Sequence, residues 1–447
     1  MISARIEHII NEIIDQYCYA DTSEKPWIIG FSGGKDSTVM LTLVWEALLR
    51  IRKMPIPFQL RRPVYVVCND TLVENPIIVE YTERVLNKIS IAAREQDIPI
   101  FVRKTIPRLE DSFWVNIIGK GYPVPNNAFR WCTDKLKIKP TSRFINEQVA
   151  ENGEAIILIG TRSAESASRA KSIKKHEIRG KRLTKHPNQA NTFVYSPIKH
   201  LMLEEIWGII NSHPSPWGAD NSELFKIYSE ASSDDYECPT LVTNKEHSSC
   251  GQSRFGCWTC TVVKVDKSMS ALIKNGFDWL KPLLDLRNSL DAERNNIEIR
   301  MPTRRNGTKA INDMGSYQPF YRAIILRQVL EAQKIVQVSK PHVELITNQE
   351  LIAIQVKWNR DLYFDKKVSE IYNEVYNIVL DMKDKTERQE KENNLLLDAC
   401  NNNSEEFNLL QDLLQLQKSK TLMIRKRGLQ ADIENRLERF IRDNNNN

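Results

Sequence analysis

As far as about residue 200 the apolar positions alternate between two periods. From Ile2 to Tyr19 they recur at three- and four-residue spacing, which predicts a helix, and Trp27–Phe31 is a short unbroken apolar run, a strand. The alternation continues with a helix over Ser37–Arg50, a strand over Val64–Cys68 (VYVVC) and a helix over Pro76–Gln96, where Pro76 takes a first-turn position that needs no N–H donor. Ile98–Val102, Ala155–Ile159 (AIILI) and Phe193–Tyr195 complete five strands. Strands separated by helices predict a parallel, doubly wound α/β sheet with ligand sites beyond the strands' carboxyl ends.

Beyond Val265 strand-like runs give way to amphipathic helical spacing. Phe320–Val336, Phe364–Asp384 and Ser404–Lys418 predict helices, the last two on either side of an Asn-rich break at Cys400–Asn403. Thr347 with Glu350 forms a capping box ahead of Leu351 and Ile354. Trp279, Trp358, Tyr363, Tyr372 and Tyr376 read as packing residues, and no internal repeat is evident. The domain plan is therefore 1–235 as the α/β domain, 236–266 as a cysteine-rich segment, and 267–447 as a helical region suited to docking a partner.

Composition adds little until its distribution is considered. The chain of 447 residues is 41% apolar, yet no apolar stretch approaches the length that spans a bilayer. No secretory or transit pattern marks the residues from Met1, and eight cysteines are too few for a disulfide scaffold, so a cytoplasmic protein with reduced thiols is expected. The net charge of +6 permits a polyanionic partner. From Arg162 to His186, nine Lys or Arg residues stand against only Glu165 and Glu177. The stretch at about 170–192 has neither helical nor strand period and reads as a mobile basic loop; with Arg130, its Lys174, Lys175, Arg179, Lys181 and Arg182 are candidates to contact a phosphate backbone.

Chemistry first enters at WIIGFSGGKDS, residues 27–37, where a strand breaks into a glycine-rich turn and opens a helix. Ser32, Gly33 and Gly34 leave backbone N–H groups at a helix N-terminus, where the dipole favours an anion. Lys35 adds a positive charge and Ser37 a hydroxyl. This is not a Walker A loop, because Ile29 stands where its first glycine belongs and Asp36 follows the lysine. An acidic residue at the mouth of a phosphate loop suits Mg²⁺ held against the phosphates. Asp70, just after VYVVC, and Thr161, Arg162 and Arg169, just after AIILI, fall at other strand ends and point to one shared site.

The cysteines are uneven. Cys238, Cys250, Cys257 and Cys260 follow one another with spacing C-x11-C-x6-C-x2-C among small and turn-forming residues. The terminal C-x2-C puts two thiolates on one metal, and the upstream pair can complete a four-thiolate site. Only one short pair is present, which leans from zinc towards a 4Fe–4S cluster; His247 reads first as a solvated loop histidine and only second as a substitute ligand. Cys132 stands elsewhere, in PVPNNAFRWCTDKLKIKP at 123–140, beside Arg130 and Lys135, neighbours expected to favour its thiolate. Phe129 and Trp131 there can stack on a base or simply pack.

The hexapeptide SGGKDS resembles the PP-loop of the ATP pyrophosphatases, which split ATP between its α- and β-phosphates, adenylate a substrate oxygen and let a nucleophile displace AMP. The resemblance implies pyrophosphate on the N–H groups from Ser32 to Ser37, with Lys35 against it and Asp36 near Mg²⁺. The patterns R-x-C-x-x-x-L-K-x-x-P at 130–140 and G-T-R-x-x-E-S-x-x-R at 160–169 are similar to those of the PAPS reductase branch. With CGQSRFGCWTCTVV behind them, the set over roughly 25–265 resembles the DndC-type sulfurtransferases of bacterial DNA phosphorothioation. That likeness implies an adenine nucleotide alpha hydrolase-like sheet, ATP and Mg²⁺, and a 4Fe–4S cluster. It also implies DNA as substrate, a cysteine desulfurase as sulfur donor, and DndD- and DndE-type partners.

Three function classes follow: a sulfurtransferase acting on DNA, a sulfonucleotide reductase, and an ATP-binding scaffold. The terminal E-C-G-x-H type signature of the reductases is absent. Within the first class sulfur delivery is placed on Cys132, because thiolates bound to iron cannot attack phosphorus; the rival is direct donation through the cluster, with Cys132 shaping the DNA site. Cys18, Cys68 and Cys400 sit in an amphipathic helix, a buried strand and a distal helical region, places for inert thiols.

Overall fold

The structure, a computed structural model, describes residues 2–19, 24–54, 60–178, 180–231, 256–304, 308–361, 366–378, 395–400, 403–421 and 437. It divides into two units, Met1–Ile354 and Gln355–Asn447.

The first unit is built on six strands: β1 (Trp27–Gly30), β2 (Val64–Asn69), β3 (Ile100–Thr105), β4 (Ala155–Leu158), β5 (Thr184–Lys185) and β6 (Thr192–Tyr195), in the order β3-β2-β1-β4-β6-β5. The five expected strands are the five parallel ones, and Ile29 of β1 is in register with Val66 on one side and Leu158 on the other. β5 is an antiparallel edge strand on β6 that carries no apolar alternation, so the sequence pattern did not reveal it. The fold is an α/β sheet, mostly parallel and six-stranded.

Seven helices accompany the sheet: α1 (Ile2–Cys18), α2 (Lys35–Arg52), α3 (Pro76–Glu95), α4 (Lys139–Asn152), α5 (Ala167–His176), α6 (Leu203–Ser212) and α7 (Asn221–Glu230). Strand residues alternate between two cores. Trp27, Ile29, Val66 and Leu158 bury against Ile13, Val44, Trp45, Ile89 and Ile206 of the helices on one face. Ile28, Val67, Ala155 and Ile157 bury against Ile145 of α4 on the other. Helices therefore cover both faces, as near-continuous apolar strands require.

α5 corrects the expectation of a mobile basic loop. Ser166 caps it, its Oγ accepting from the Arg169 N–H at 3.2 Å, and the basic stretch becomes a helix followed by the β5–β6 hairpin; Arg179 lies outside the described residues. Charge masks helical period here because the helix is exposed on nearly every side.

The first unit also takes in α8 (Lys267–Lys274), α9 (Lys281–Ala292) and α10 (Pro319–Ser339). Buried Arg322 of α10 donates through Nε to the Ile118 carbonyl at 2.8 Å, and Trp114 Nε1 donates to the Leu345 carbonyl at 2.6 Å. Part of the stretch expected to be a separate helical region, from 267 to 354, thus belongs with the sheet. The capping box before α11 (Asn348–Asp361) is present: the Thr347 N–H donates to Glu350 Oε2 at 3.0 Å and the Glu350 N–H to Thr347 Oγ1 at 3.2 Å. Of the expected helix at 364–384, the described residues show α12 (Val368–Tyr376), with Tyr372 stacked on Tyr376 at 4.5 Å. A further helix spans Ser404–Thr421. Among the described residues no helix is long and apolar enough to cross a membrane.

Candidate nucleotide site and cysteine group

The strand order reverses direction between β1 and β4, and a parallel sheet opens a crevice at such a switch point. The loops leaving these two strands carry SGGKDS and GTR. Gly160 lets them touch, since a Cβ there would stand 3.1 Å from the Asp36 carbonyl oxygen and 3.3 Å from the Ser37 nitrogen. Gly33 turns the first loop at φ +72°, and a Cβ on it would stand 2.7 Å from Thr82 Oγ1. Gly33→Ala is accordingly expected to lower stability by about 1–2 kcal/mol through left-handed backbone strain. It should also weaken ATP binding, and thermal melting with titration calorimetry reads both effects.

A cavity of about 680 Å³ opens at this crevice, lined by Ser32 to Lys35, by Cys68 to Asp70 and by the apolar Ile78 and Val79. In the loop the N–H groups of Ser32, Gly34 and Lys35 donate to hydroxyl oxygens of Ser37, Ser32 and Tyr228 at 3.3, 3.4 and 3.4 Å. These are long contacts that the oxygens of an anion can replace. Thr82 Oγ1 lines the same cavity, buried and without a hydrogen-bond partner, a polar atom that suits a polar ligand.

Charged residues assemble around the loop differently from the simple expectation. Asp36 Oδ1 accepts from Arg162 Nε at 2.6 Å, and its other oxygen is 3.4 Å from Lys35 Nζ. Arg162 is only 3% exposed and also donates through Nη1 to the Leu201 carbonyl at 3.2 Å. Arg162 is thus a strut that holds Asp36, while Arg169, exposed and 3.2 Å from Glu165, offers its guanidinium to the cavity. Both arginines thus already face a carboxylate, Asp36 and Glu165. Lys35 lies 5.1 Å over the Tyr228 ring. Asp70 lines the cavity and accepts from the Leu72 N–H at 2.8 Å, whereas Thr161 stands at the β4 exit outside the lining.

The cysteine pair is anchored at the rim of this cavity. Cys257 forms a β-bridge with Glu74, just past β2, and its Sγ is 3.3 Å from Thr71 Oγ1 and 3.8 Å from Glu74 Oε1. The Cys260 N–H donates to the Cys257 carbonyl at 3.0 Å, closing the turn. Arg287 of α9, fully buried, holds that turn by donating to the Cys260 and Lys264 carbonyls at 2.9 and 3.1 Å. Thr261 Oγ1 donates to the Pro125 carbonyl at 2.6 Å, which ties the pair to the segment bearing Cys132. Cys132 opens a π-helical turn, Thr133–Ile138, that runs into α4, and the Cys260 thiol is close enough to disfavour its ionisation. Glu74 and Lys137 both line the nucleotide cavity and lie 3.5 Å apart. Neither was singled out in the sequence, although Lys137 is the lysine of the R-x-C-x-x-x-L-K pattern.

The expected activation of Cys132 is not found. Burial first, then the Cys260 thiol, pushes its pKa up, so the thiolate is disfavoured. Lys135 pairs with Asp111, and Arg130 Nη2 donates to Asn127 Oδ1 at 2.5 Å. Burial likewise pushes the Cys257 thiol up to about 12, with Glu74 adding to it. Lys137 is held well above the usual lysine value, against burial, by Cys257 and by the Glu74 carboxylate beside it. Trp131 packs on Phe113, ring centroids 5.6 Å apart, and its Nε1 donates to the Pro123 carbonyl at 2.9 Å, so it is a packing residue.

Cys238, Cys250 and His247 lie outside the described residues, so the four-thiolate set is seen only as its Cys257–Cys260 half. Among the described residues no three His, Cys, Asp or Glu side chains are arranged to hold a metal ion. Of the nucleic-acid candidates, Lys174, Lys175 and Lys181 are exposed, and Arg182 pairs with Asp15 and lies 3.8 Å from Glu12.

A stretch of 194 residues, 43% of this chain, is 28% identical to the uncharacterized protein MJ0066 of Methanocaldococcus jannaschii and spans 33% of that protein. Among solved structures, the chain is similar to an FMN adenylyltransferase of Candida glabrata with FMN and the ATP analogue AMPCPP (14% identity, 48% of this chain, 58% of that one, TM-score 0.29). It is also similar to a PAPS reductase of Candida auris in complex with phosphate (12% identity, 48% and 87%, TM-score 0.29). A third is the U34-tRNA thiolase NcsA of Methanococcus maripaludis with its 4Fe–4S cluster (16% identity, 51% and 73%, TM-score 0.27). At such low TM-scores nothing about this chain's chemistry follows from those likenesses. The family model is more direct: residues 26–263, more than half of the chain, match the phosphoadenosine phosphosulfate reductase domain, and the chain belongs to that family.

Proposed function

We propose that this protein is an ATP-dependent sulfurtransferase that adenylates a phosphate of the DNA backbone and replaces a non-bridging oxygen with sulfur. One observation carries the reading: Glu74 and Lys137 line the nucleotide cavity and Glu74 also meets the Cys257 thiol, so the cysteine group and the nucleotide cavity share a wall. In the first step a non-bridging phosphate oxygen attacks the α-phosphorus of ATP, the α–β bond breaks, and pyrophosphate leaves onto the SGGKDS amides. Lys35 and the α2 N-terminus offset its charge. In the second step a persulfide sulfur on Cys132 attacks the activated phosphorus and AMP departs. A free thiol then attacks the carrier sulfur, breaking the S–S bond, leaving sulfur on phosphorus and the two thiols joined as a disulfide.

Cys257 and Cys260, with Cys238 and Cys250, would hold a 4Fe–4S cluster, which would supply one-electron chemistry. A cysteine desulfurase would load Cys132, and the helices of the second unit would dock DndD- and DndE-type partners. The family match favours a second reading, a sulfonucleotide reductase, which releases no pyrophosphate from ATP.

The test combines protein, ATP, Mg²⁺, desulfurase, cysteine and DNA. Pyrophosphate release should depend on DNA, and mass spectrometry of the digested DNA should show a phosphorothioate dinucleotide. Reduction of a sulfonucleotide without ATP, and DNA left unmodified, would replace this reading by the second.

A further inference from the structure

Outside the nucleotide pocket lies a second cavity of about 780 Å³, walled by α1, the end of α5, the turn before β5 and the residues following β6. Five Lys or Arg side chains line it against two carboxylates, Glu12 and Glu177, a net charge of +3 before His8 and His200 are counted. Three of the five cations are paired internally: Lys199 Nζ is 2.5 Å from Glu177, Arg5 Nη1 is 2.8 Å from Glu205, and Arg182 pairs with Asp15. Among the described residues Lys174 and Lys181 have no carboxylate partner, and both are exposed at the cavity. Lys171 and Lys175 on α5, one turn from and next to Lys174, and Lys185 on β5 are exposed as well.

We infer that this cavity binds the sugar–phosphate backbone of a nucleic acid. A compact anion would use only the cavity; the further exposed lysines on α5 and β5 suit an extended polyanion. The volume falls within the range of about 300–1,000 Å³ common for ligand clefts, ample for a phosphate with its flanking sugars.

The cavity also adjoins the nucleotide pocket. Residues 199–201 line the one and Met202 with Leu203 the other, so a single segment separates them. Arg5 Nη2 grips that segment at the His200 carbonyl, 2.7 Å away, and Arg162 grips it at the Leu201 carbonyl, 3.2 Å away. The Ser163 N–H and Oγ fix it at the Lys199 carbonyl at 2.9 and 3.0 Å. A backbone seated here is therefore registered against Arg162, which carries Asp36. The inference deepens the sulfurtransferase reading and rests on it for the choice of a nucleic-acid substrate.

The experiment measures Kd by fluorescence anisotropy over a salt series, for labelled duplex DNA, the matching single strand, and RNA of the same sequence. The paired change Lys174→Ala with Lys181→Ala should weaken binding at least about tenfold and lower the slope of log affinity against log salt by about 2. Lys174→Arg with Lys181→Arg should restore both, and Lys53→Ala with Lys274→Ala, an equal loss of charge away from the cavity, should change neither. Thermal melting checks that each variant is folded. Unchanged affinity in the first pair, or equal loss in the control pair, overturns the inference. Cavity-dependent binding of RNA alone leaves the inference standing and defeats the DNA reading. DNA-dependent pyrophosphate release by the parent protein, with no effect of Lys174 and Lys181 on binding, does the reverse.

Discussion

On the proposed reading an Asp36→Ala protein is expected to lose pyrophosphate release from ATP by at least about a hundredfold, since its carboxylate would hold the Mg²⁺ that offsets phosphate charge and losing one such charge-stabilising group commonly costs that much. It should also melt early. Arg162 is almost wholly buried, and Asp36 is the carboxylate beside it at 2.6 Å. Removing one partner of such a pair leaves a buried charge uncompensated and costs about 3 kcal/mol. Asp36→Asn separates the two effects. Its amide oxygen can still accept from Arg162 Nε, so much of the stability should return while turnover does not. Parent-like pyrophosphate release by a folded Asp36→Asn protein would show that the carboxylate's role ends at holding Arg162.

Protein purified without oxygen is expected to be brown, with about four irons per chain if a cubane is present. Cys257→Ser and Cys260→Ser should each lose the colour, as should Cys238→Ser and Cys250→Ser. The loss should not unfold the first unit, because the turn is held by the buried Arg287 and by the β-bridge to Glu74, neither of which uses sulfur. Absorbance and iron content read the outcome independently of activity. A colourless protein with one zinc would make the site structural. Cys132→Ser should keep its iron yet yield no phosphorothioate DNA. Loss of iron in that variant would move Cys132 from sulfur carrier to ligand, a result its closeness to Cys260 makes informative.

The sheet was legible because buried parallel strands read as short apolar runs whatever surrounds them, and all five parallel strands lie within a few residues of their expected places. The nucleotide loop was legible because it is contiguous in sequence. What escaped depends on partners far along the chain. Asp36 meets Arg162 across 126 positions, and Cys257 meets Thr71 across 186. No local pattern announces such pairs. Cys132 shows the converse error: Arg130 and Lys135 are near it in sequence, yet their charges are directed to Asn127 and Asp111. β5 escaped because an edge strand of two residues buries no alternating face.

The pairing of β1 between β2 and β4 governs when the site can exist during synthesis. β1 ends at Gly30, but β4 begins only at Ala155. At a ribosomal pace of roughly 5–20 residues per second, the WIIG strand waits on the order of ten seconds with one edge unsatisfied. Its apolar residues are then among the most aggregation-prone in the nascent chain. Slowing translation between these points, or starving the cell of chaperones that shield such strands, should lower the soluble yield of this protein more than that of one whose neighbouring strands are consecutive in sequence.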